Sequence, residues 1–386
     1  MTSTQEFFDR LAHMRATEPV SHHKDGGFWE VFGYAEISEM FADPERFSSD
    51  LSSLVPGPPE IDMLREGNFV GIDPPRHGQL RGLVNKVFTP RLVAELEPRI
   101  TELVTALLDE VDGAGRIDLV AGLSHPLPII VICELLGIPA EDRDAFQAWA
   151  DGLLDTVGRD RLPTQEELAA LVPMLKEMNE YLLGHVRARR AAPGGDLISK
   201  LVTTTVDGRG LSDDELFGFV ALLLIAGHIT TTALIGSTVL CLEDNPDVLA
   251  LVRADRSLVP AVIEESLRLF PPISKVGRRT TREVELGGAT IPAGQILMTW
   301  IASANRDGSV FPEPDRFVLG RENRHLAFGH GIHFCLGAPL ARLEGRIALN
   351  LLMDRYPKWT VARDDVELTD PRGMILVQRL PLLVTG

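Results

Sequence analysis

The stretch Phe328–Gly337 reads Phe-Gly-His-Gly-Ile-His-Phe-Cys-Leu-Gly, and it decides the fold of this chain. It isolates one thiol, Cys335, just before an apolar helix that we predict to begin near Pro339, since proline is favoured in the first helical turn. The three glycines let the backbone adopt positive φ and pass closely under a flat group. A metal or a helix N-terminus stabilises the thiolate over the thiol. The stretch is therefore predicted to present a sulfur ligand to a metal.

This stretch resembles the haem-binding loop of the cytochrome P-450 family, whose pattern is Phe-x-x-Gly-x-His/Arg-x-Cys. All four positions match, with Phe328, Gly331, His333 and Cys335. The resemblance implies that the cofactor is haem b, that Cys335 is the axial ligand of its iron, and that Gly337 belongs to the cofactor-binding loop. A free thiol in the core is the alternative for any lone cysteine, because cysteine is among the most buried residue types.

Composition and charge restrict the class of protein. The chain has 386 residues, 45% hydrophobic and 24% charged, which is ordinary for a globular protein with a large core. No linker, repeat or low-complexity tract divides it, so we predict a single domain over residues 1–386. The formal net charge of −17 argues against nucleic acid or an anionic membrane as partner, because both require a basic surface.

The cellular compartment is predicted from two features of the sequence. Met1–Val20 carries five charged residues and lacks the apolar core of a signal peptide or membrane anchor. The three cysteines are far apart, which argues against a disulfide framework and favours a reducing compartment. We therefore expect a cytoplasmic protein.

Two kinds of apolar pattern divide the chain. Apolar residues recur at helical spacing in 91–111, 125–136, 166–190, 213–242, 258–269 and 339–353. Short apolar runs bounded by turn residues, typical of strands, occupy 283–286, 296–301 and 374–383. The predicted fold class is mainly α with small β-sheets late in the chain, and the resemblance implies the cytochrome P-450 fold.

The longest helix is predicted at about 213–243. It begins at a capping box, in which Ser212 is followed three residues later by Glu215. At about 1.5 Å per residue, roughly thirty residues span about 45 Å, enough to cross a domain. Its apolar middle would also fit a membrane span by length. We prefer a buried central helix, because His228 and three threonines lie at its centre.

The middle of this helix, Ala226-Gly227-His228-Ile229-Thr230, combines small residues with a hydroxyl. A threonine inside a helix can hydrogen-bond a backbone carbonyl, which favours a local bulge with room for a small ligand. The segment resembles the oxygen-binding stretch of the same family, Ala-Gly-x-acid-Thr, and this implies that Ala226, Gly227 and Thr230 are catalytic. Ile229 departs from that pattern, because the family has an acid there. We hypothesise that ordered water or a polar group of the substrate takes over proton delivery.

Glu265 and Arg268 are three residues apart on a predicted helix, so their side chains can meet on one face. An isolated pair of this kind is usually a weak surface ion pair. Together with the later segment Phe311-x-x-Pro-x-Arg-Phe, it resembles the structural triad of the family. The resemblance implies that Glu265, Arg268 and Arg316 hold the cysteine loop and have no chemical role.

Four positions resemble the propionate-binding residues of the family. His77 and Arg81 are four apart on one helix face, Arg278 precedes the first late strand, and His333 lies two before the cysteine. The neighbouring Arg279 is a rival for Arg278. Buried carboxylates require donors of this type, and arginine suits them best because its planar fork is always charged.

The substrate pocket is assigned by analogy. An irregular, plausibly mobile lid is expected at about 51–72, because Pro56-Gly57-Pro58-Pro59 lies within it. The predicted pocket walls are mostly apolar: Val70, Leu223, Ile229, Ile273, Ser274, Val276, Met374 and Ile375. With 6% aromatic residues in the chain, we expect a lipophilic, aliphatic substrate with some oxygen functions, such as a polyketide or macrolide.

The resemblance implies a monooxygenase that uses O₂ to hydroxylate or epoxidise its substrate. No flavin or nicotinamide motif is present, so we expect ferredoxin and ferredoxin reductase to deliver electrons to a monomer. Basic residues around the cysteine loop are candidates for a ferredoxin-docking patch: Arg324, His330, Arg342 and Arg346.

Three alternatives differ in testable ways. A peroxide-using relative would usually lack the hydroxyl at Thr230, and a haem-based sensor would have no substrate pocket. A structural zinc site would require more ligands than His330, His333 and Cys335 supply at their spacing.

Overall fold

The computed structural model describes residues 2–24, 26–54, 56–113, 115–157, 163–206, 208–322 and 324–385. Helix dominates these residues and the sheets are small, which confirms the predicted fold class. The helices are α1 (Thr2–Thr17), α2 (Tyr34–Ala42), α3 (Pro59–Glu66), α4 (Arg76–Val87), α5 (Pro90–Glu95), α6 (Glu97–Val111), α7 (Pro126–Leu136), α8 (Arg143–Val157), α9 (Gln165–Ala191), α10 (Leu197–Thr203), α11 (Asp213–Asp244), α12 (Pro246–Ala254), α13 (Val259–Leu269), α14 (Ile301–Ala304) and α15 (Ala338–Arg355).

The strands form small sheets, and the largest has the order β1-β2-β8-β5-β3. The strands are β1 (Val20–His23), β2 (Phe28–Val31), β3 (Phe47–Ser48), β4 (Arg116–Asp118), β5 (Val276–Thr280), β6 (Val284–Leu286), β7 (Ala289–Ile291), β8 (Ile296–Thr299), β9 (Lys358–Val361), β10 (Glu367–Leu368), β11 (Val377–Arg379) and β12 (Pro381–Thr385). The expectation that the sheets lie late in the chain was wrong for β1 to β4. These strands have two to four residues each, too few for alternation to stand out.

The chain divides into two compact units. The first comprises Met1–Ser48, Glu97–Pro126 and Thr230–Gly386, and the second Ser49–Leu96 and Leu127–Ile229. In the first unit, α2 packs its buried residues against the five-stranded sheet, and α15 packs on α6 and α13. In the second, α9 contacts α3, α8 and α10. The single-domain assignment stays a prediction.

Helix α11 begins as predicted. The Ser212 hydroxyl accepts a hydrogen bond from the Glu215 backbone N–H (3.1 Å), and the Glu215 carboxylate accepts one from the Ser212 N–H (2.9 Å). The helix is α-helical from Asp213 to Asp244, so the bulge predicted at its centre is not seen. It is the one helix among the described residues that is long and apolar enough to cross a membrane, and 67% of its most apolar window is buried. This burial favours the central-helix interpretation.

The predicted lid at 51–72 is largely helical in the described residues, which exclude position 55. Helix α3 occupies its middle, with Pro59 in the first turn, and short 3₁₀ turns flank it. The Gln165 side-chain amide donates to the Pro56 carbonyl (2.5 Å), and Lys176 Nζ lies 3.3 Å from the Glu60 carboxylate. Helix α9 therefore contacts this segment through polar groups at two points.

Candidate active site

The cysteine loop is closed by its own backbone. The Cys335 N–H donates to the Phe328 carbonyl (2.8 Å), which brings the two ends of the predicted motif together. Gly329 and Gly331 have φ of 71° and 69°, values that favour glycine. A Cβ atom on Gly331 would lie 2.4 Å from the Phe41 carbonyl oxygen, so a side chain cannot fit there.

The loop leads directly into helix α15, as predicted. Gly337 is the residue before the helix and Pro339 lies in its first turn. Gly337 has φ −79°, so the predicted need for positive φ does not hold at this position. The Cys335 side chain is partly exposed, whereas Cys133 and Cys241 are buried. Burial raises the pKa of each of those two thiols to about 12, so neither is a reactive thiolate.

Arg268 connects helix α13 with the segments that precede the cysteine loop. Its side chain is fully buried, and all five of its N–H groups donate. Two bonds of 2.8 Å reach the Glu265 carboxylate, and three reach the carbonyls of Asn305, Pro314 and Arg316. The Asn305 side-chain oxygen accepts from the Leu326 N–H (2.7 Å), two residues before Phe328. A continuous hydrogen-bonded path therefore runs from α13 to the start of the loop.

Arg316 does not complete this group through its side chain. Its guanidinium is 70% exposed and pairs with Glu313, and only its backbone carbonyl contacts Arg268. Arg321 takes the predicted position, because its Nε lies 3.3 Å from the Glu265 carboxylate and its guanidinium is 10% exposed. The assignment of Arg316 is thus corrected to Arg321. The chain turns back between the two arginines, and spacing alone did not show which one faces inward.

His77 and Arg81 lie one turn apart on helix α4, as predicted. The His77 ring packs edge-on against Phe69 at 6.2 Å between ring centres, and the Arg81 guanidinium lies 5.2 Å from the same ring. Burial and, to a smaller extent, the nearby Arg81 charge lower the pKa of His77. His77 is therefore suited to act as a neutral N–H donor, and Arg81 provides the charge.

The structure distinguishes Arg278 from its rival Arg279. Successive residues of a strand face opposite sides of the sheet. On β5, Arg278 is buried and its guanidinium lies 5.0 Å from the Phe41 ring, whereas Arg279 is only half-buried. A Cβ atom on Gly331 of the cysteine loop would meet the Phe41 carbonyl oxygen first. Phe41 therefore contacts Arg278 through its ring and approaches the loop through its backbone, and His333 of that loop lies in a 3₁₀ turn.

The predicted oxygen-binding stretch on α11 shows a clear difference in exposure among its residues. Ala226 is exposed and Thr230 is half-buried, whereas His228 and Ile229 are 0% and 2% exposed. A Cβ on Gly227 would lie 2.6 Å from the Ile132 side chain, so this glycine lets α11 pack closely on α7. Ile229 is thus a buried apolar residue at the position of the family's acid.

The predicted pocket segments of the first unit meet at a β-bridge between Ile273 and Met374. The Ser274 hydroxyl is fully buried and donates to the Gly373 carbonyl (2.8 Å). Ser274 therefore joins the two segments. The remaining predicted wall residues are Val276, half-buried on β5, and Ile375, buried in the core; in the second unit, Leu223 is half-buried and Val70 is 48% exposed.

The predicted basic patch is largely neutralised by carboxylates. Arg342 binds both oxygens of Glu264, Arg346 pairs with Glu97 at 2.9 Å, and Arg324 pairs with Glu322. Spacing along the sequence did not reveal the partners of Arg342 and Arg346, because Glu264 and Glu97 are far away in the chain, whereas Glu322 is only two residues from Arg324.

The sequence model of the family described as Cytochrome P450 matches residues 60–385. The chain belongs to the cytochrome P450 family.

Its relatives among the cytochromes P450 span nearly the whole chain. Cyclomarin C epoxidase CymV of Salinispora arenicola is 44% identical over 94% of this chain and 92% of its own length. Erythromycin C-12 hydroxylase of Saccharopolyspora erythraea is 41% identical over 99% of this chain and 96% of its own length. The crystal structure of HmtT, involved in himastatin biosynthesis, is 44% identical, covers 96% of both chains and has a TM-score of 0.89. The protein is a cytochrome P450 monooxygenase similar to enzymes of secondary metabolism, and membership of the family implies a haem-iron cofactor.

Proposed function

We propose that this cytochrome P450 binds haem b through Cys335 and inserts one oxygen atom from O₂ into a lipophilic natural product. The observation that carries the proposal is the backbone-closed loop around a single, partly exposed thiol at the start of α15. One thiolate at a helix N-terminus is the donor expected for a haem-thiolate iron.

The described residues fit the cofactor. Gly329 and Gly331 have positive φ, and Gly331 leaves no room for a side chain, so the loop packs closely on Phe41 at this point. Arg278 contacts the ring of Phe41, and this loop approaches the backbone carbonyl of the same residue. We assign Arg278, Arg81, His77 and His333 to the two propionates, with the arginines as charged donors and His77 as a neutral one.

When bound, the haem would activate O₂ with two electrons and two protons, leaving one oxygen atom in the substrate and the other in water. The residues of the protein hold the reacting groups in position and supply groups that can carry protons. The Cys335 N–H donates to the Phe328 carbonyl, which fixes the backbone that carries the sulfur. Thr230 supplies a hydroxyl that can hold a proton on the half-buried face of α11, whereas the Ile229 side chain can neither donate nor accept one. Proton delivery is therefore assigned to water or the substrate.

The substrate is assigned to the macrolide or polyketide class, to be hydroxylated or epoxidised. Two observations support this assignment: the apolar residues around the Ile273–Met374 bridge, and the activities by which the relatives are named, among them a 6-deoxyerythronolide B hydroxylase that is 37% identical. Electrons are assigned to a ferredoxin and its reductase, because the sequence has no flavin or nicotinamide motif. We place the enzyme in the cytoplasm as a monomer.

Haem ligation by Cys335 is tested by the spectrum of the reduced, CO-bound enzyme. The haem-loaded wild type is expected to show the red-shifted Soret band of thiolate coordination, and Cys335→Ser to lose both this band and all substrate oxidation. Cys133→Ser is the matched control, because Cys133 is buried in α7, and it should keep the band. A wild type without the red-shifted band, or a serine variant that retains it, contradicts the proposal.

Ile229→Asp restores the acid that the family has at this position. If protons reach the oxygen through water or the substrate, the aspartate adds a second route. The fraction of reducing equivalents that ends in product is then expected to change by severalfold with a true macrolide substrate. Ile229→Asn, which has the same shape without an acid, is the control. Unchanged rate and coupling in the aspartate variant would mean that position 229 has no part in proton delivery.

A further inference from the structure

A charged cluster lies directly behind the cysteine loop. Arg342, on α15, binds Glu264 of α13 with both arms of its guanidinium, at 2.6 Å from Nε and 2.8 Å from the second nitrogen. The Nε2 atom of His325 lies 3.3 Å from the same carboxylate. The His325 Nδ1 atom accepts from the Ala327 N–H (3.2 Å), so in the neutral ring Nε2 carries the proton and faces Glu264.

This cluster contacts the loop through Phe328. The Arg342 guanidinium centre lies 4.5 Å from the Phe328 ring centre, and the His325 ring lies 5.8 Å from it. Phe328 is the residue whose carbonyl accepts the Cys335 N–H. A single residue, Phe328, therefore connects the cluster to Cys335.

The charges of the cluster interact with the sulfur. The hydrogen bond to Glu264 is the main cause that raises the pKa of Arg342, and attraction to the charge of Cys335 adds to it. Burial alone would raise the pKa of Glu264, but the hydrogen bonds from Arg342 and His325 outweigh burial and bring it to about 2. Glu264 is therefore an anion at any working pH, and it offsets the positive charge that Arg342 directs at the sulfur.

We propose that Glu264 and Arg342 together set the reduction potential of the haem by controlling the electrostatic field at the Cys335 sulfur. This inference rests on the proposed function, namely ligation of haem through Cys335. Adding one electron to the iron makes the haem-thiolate more negative, so a positive charge near the sulfur favours the reduced state. A carboxylate that offsets this charge favours the oxidised state.

The two partners therefore have opposite predicted effects. With Glu264 neutral, the Arg342 charge acts on the sulfur without its counter-ion, and the potential should rise. With Arg342 neutral, the Glu264 carboxylate remains near the loop, and the potential should fall. The donor of the electron is an external reductant, a ferredoxin in the proposed reaction.

The experiment measures the midpoint potential of the haem-loaded enzyme by spectroelectrochemical titration. Wild type is compared with Glu264→Gln, Arg342→Met and the double variant; methionine keeps a long apolar stem over Phe328. The matched controls are Glu97→Gln and Arg346→Met, since Arg346 forms an ion pair of the same type one turn further along α15. Glu264→Gln is expected to raise the potential, Arg342→Met to lower it, and the double variant to return towards wild type. The controls should remain at the wild-type value.

Opposite signs separate this role from a structural one, because general loosening of the loop would move both variants in the same direction. Should Glu264→Gln fail to retain haem, Glu264→Asp, which draws the carboxylate away from Arg342, should give a smaller shift of the same sign. Shifts no larger than those of the controls, or of equal sign, overturn the inference. The CO-bound spectrum separates the two failures: a wild type without the thiolate band refutes ligation by Cys335, whereas an intact band with unchanged potentials refutes only the tuning role.

Discussion

Replacing Arg268 with methionine is expected to lower the free energy of unfolding by about 3–5 kcal/mol, because it leaves the buried Glu265 carboxylate without its main counter-ion. Both side chains are at most 1% exposed, so water cannot compensate. The change also removes donors from the carbonyls of Asn305, Pro314 and Arg316. Chemical denaturation of the haem-loaded enzyme measures the loss, and haem retention should fall with it.

Arg316→Met is the matched control, because it removes an arginine of the same segment whose side chain is 70% exposed. It should change the free energy of unfolding by no more than about 0.5 kcal/mol, as is usual for substitutions at surface positions. The double variant Glu265→Gln with Arg268→Met removes both buried charges and should be less destabilised than the sum of the single variants. An equal effect of Arg268→Met and Arg316→Met would contradict the path from α13 to the cysteine loop.

The second large effect on stability is expected from replacing Glu344, whose carboxyl group is buried in α15. Its side chain is 1% exposed, and its Oε2 atom meets no hydrogen-bond partner among the described residues. Burial raises the pKa of Glu344 from 4.5 to about 8, so the folded protein holds a neutral acid at pH 7. Glutamine has the shape of that acid and cannot ionise. Glu344→Gln is therefore expected to match or exceed wild type in stability at neutral pH and to exceed it further in alkali.

The direction in which stability changes with pH follows from proton linkage. Between pH 4.5 and about 8, the folded state keeps a proton that the unfolded state has lost, so the wild type loses stability as the pH rises. Glu344→Gln lacks this loss, and its advantage should grow by about 1.4 kcal/mol per pH unit in that window, then level off. Denaturation curves at a series of pH values measure the difference. The exposed Glu322→Gln should show no such trend. A constant difference between Glu344→Gln and wild type would mean that Glu344 is ionised in the fold.

The two residues bear on the same part of the site. Arg268 connects α13 to the segment before the cysteine loop, and Glu344 lies on the helix that follows the loop. Arg268 therefore stabilises the approach to the loop through its hydrogen bonds. Glu344 has no hydrogen-bond partner for its Oε2 atom among the described residues, so its replacement is expected to change the pH dependence of stability without loosening the loop.

Local patterns were sufficient for much of this description. The capping box of α11, the start of α15 beside Pro339 and the bounds of α9 and α11 were confirmed to within two residues, because caps and apolar periodicity act over a few residues. The helix predicted at 91–111 was wrong as a single element, since the chain forms α5 and α6 there. The short strands β1 to β4 were missed because their stability does not come from local signals. A strand of two to four residues is stabilised by its partners in the sheet, and those partners are far away in the sequence.

The sequence by itself determined the family, the cysteine loop and the departure at Ile229, since each is a run of consecutive residues with its own chemistry. Only the tertiary structure decided that Arg321 and not Arg316 faces Glu265, that Arg278 and not Arg279 is buried against Phe41, and that Glu264 and Glu97 neutralise the predicted basic patch. These distinctions depend on which face of a strand or turn is buried and on charges brought together from distant segments. Packing of the whole chain determines both.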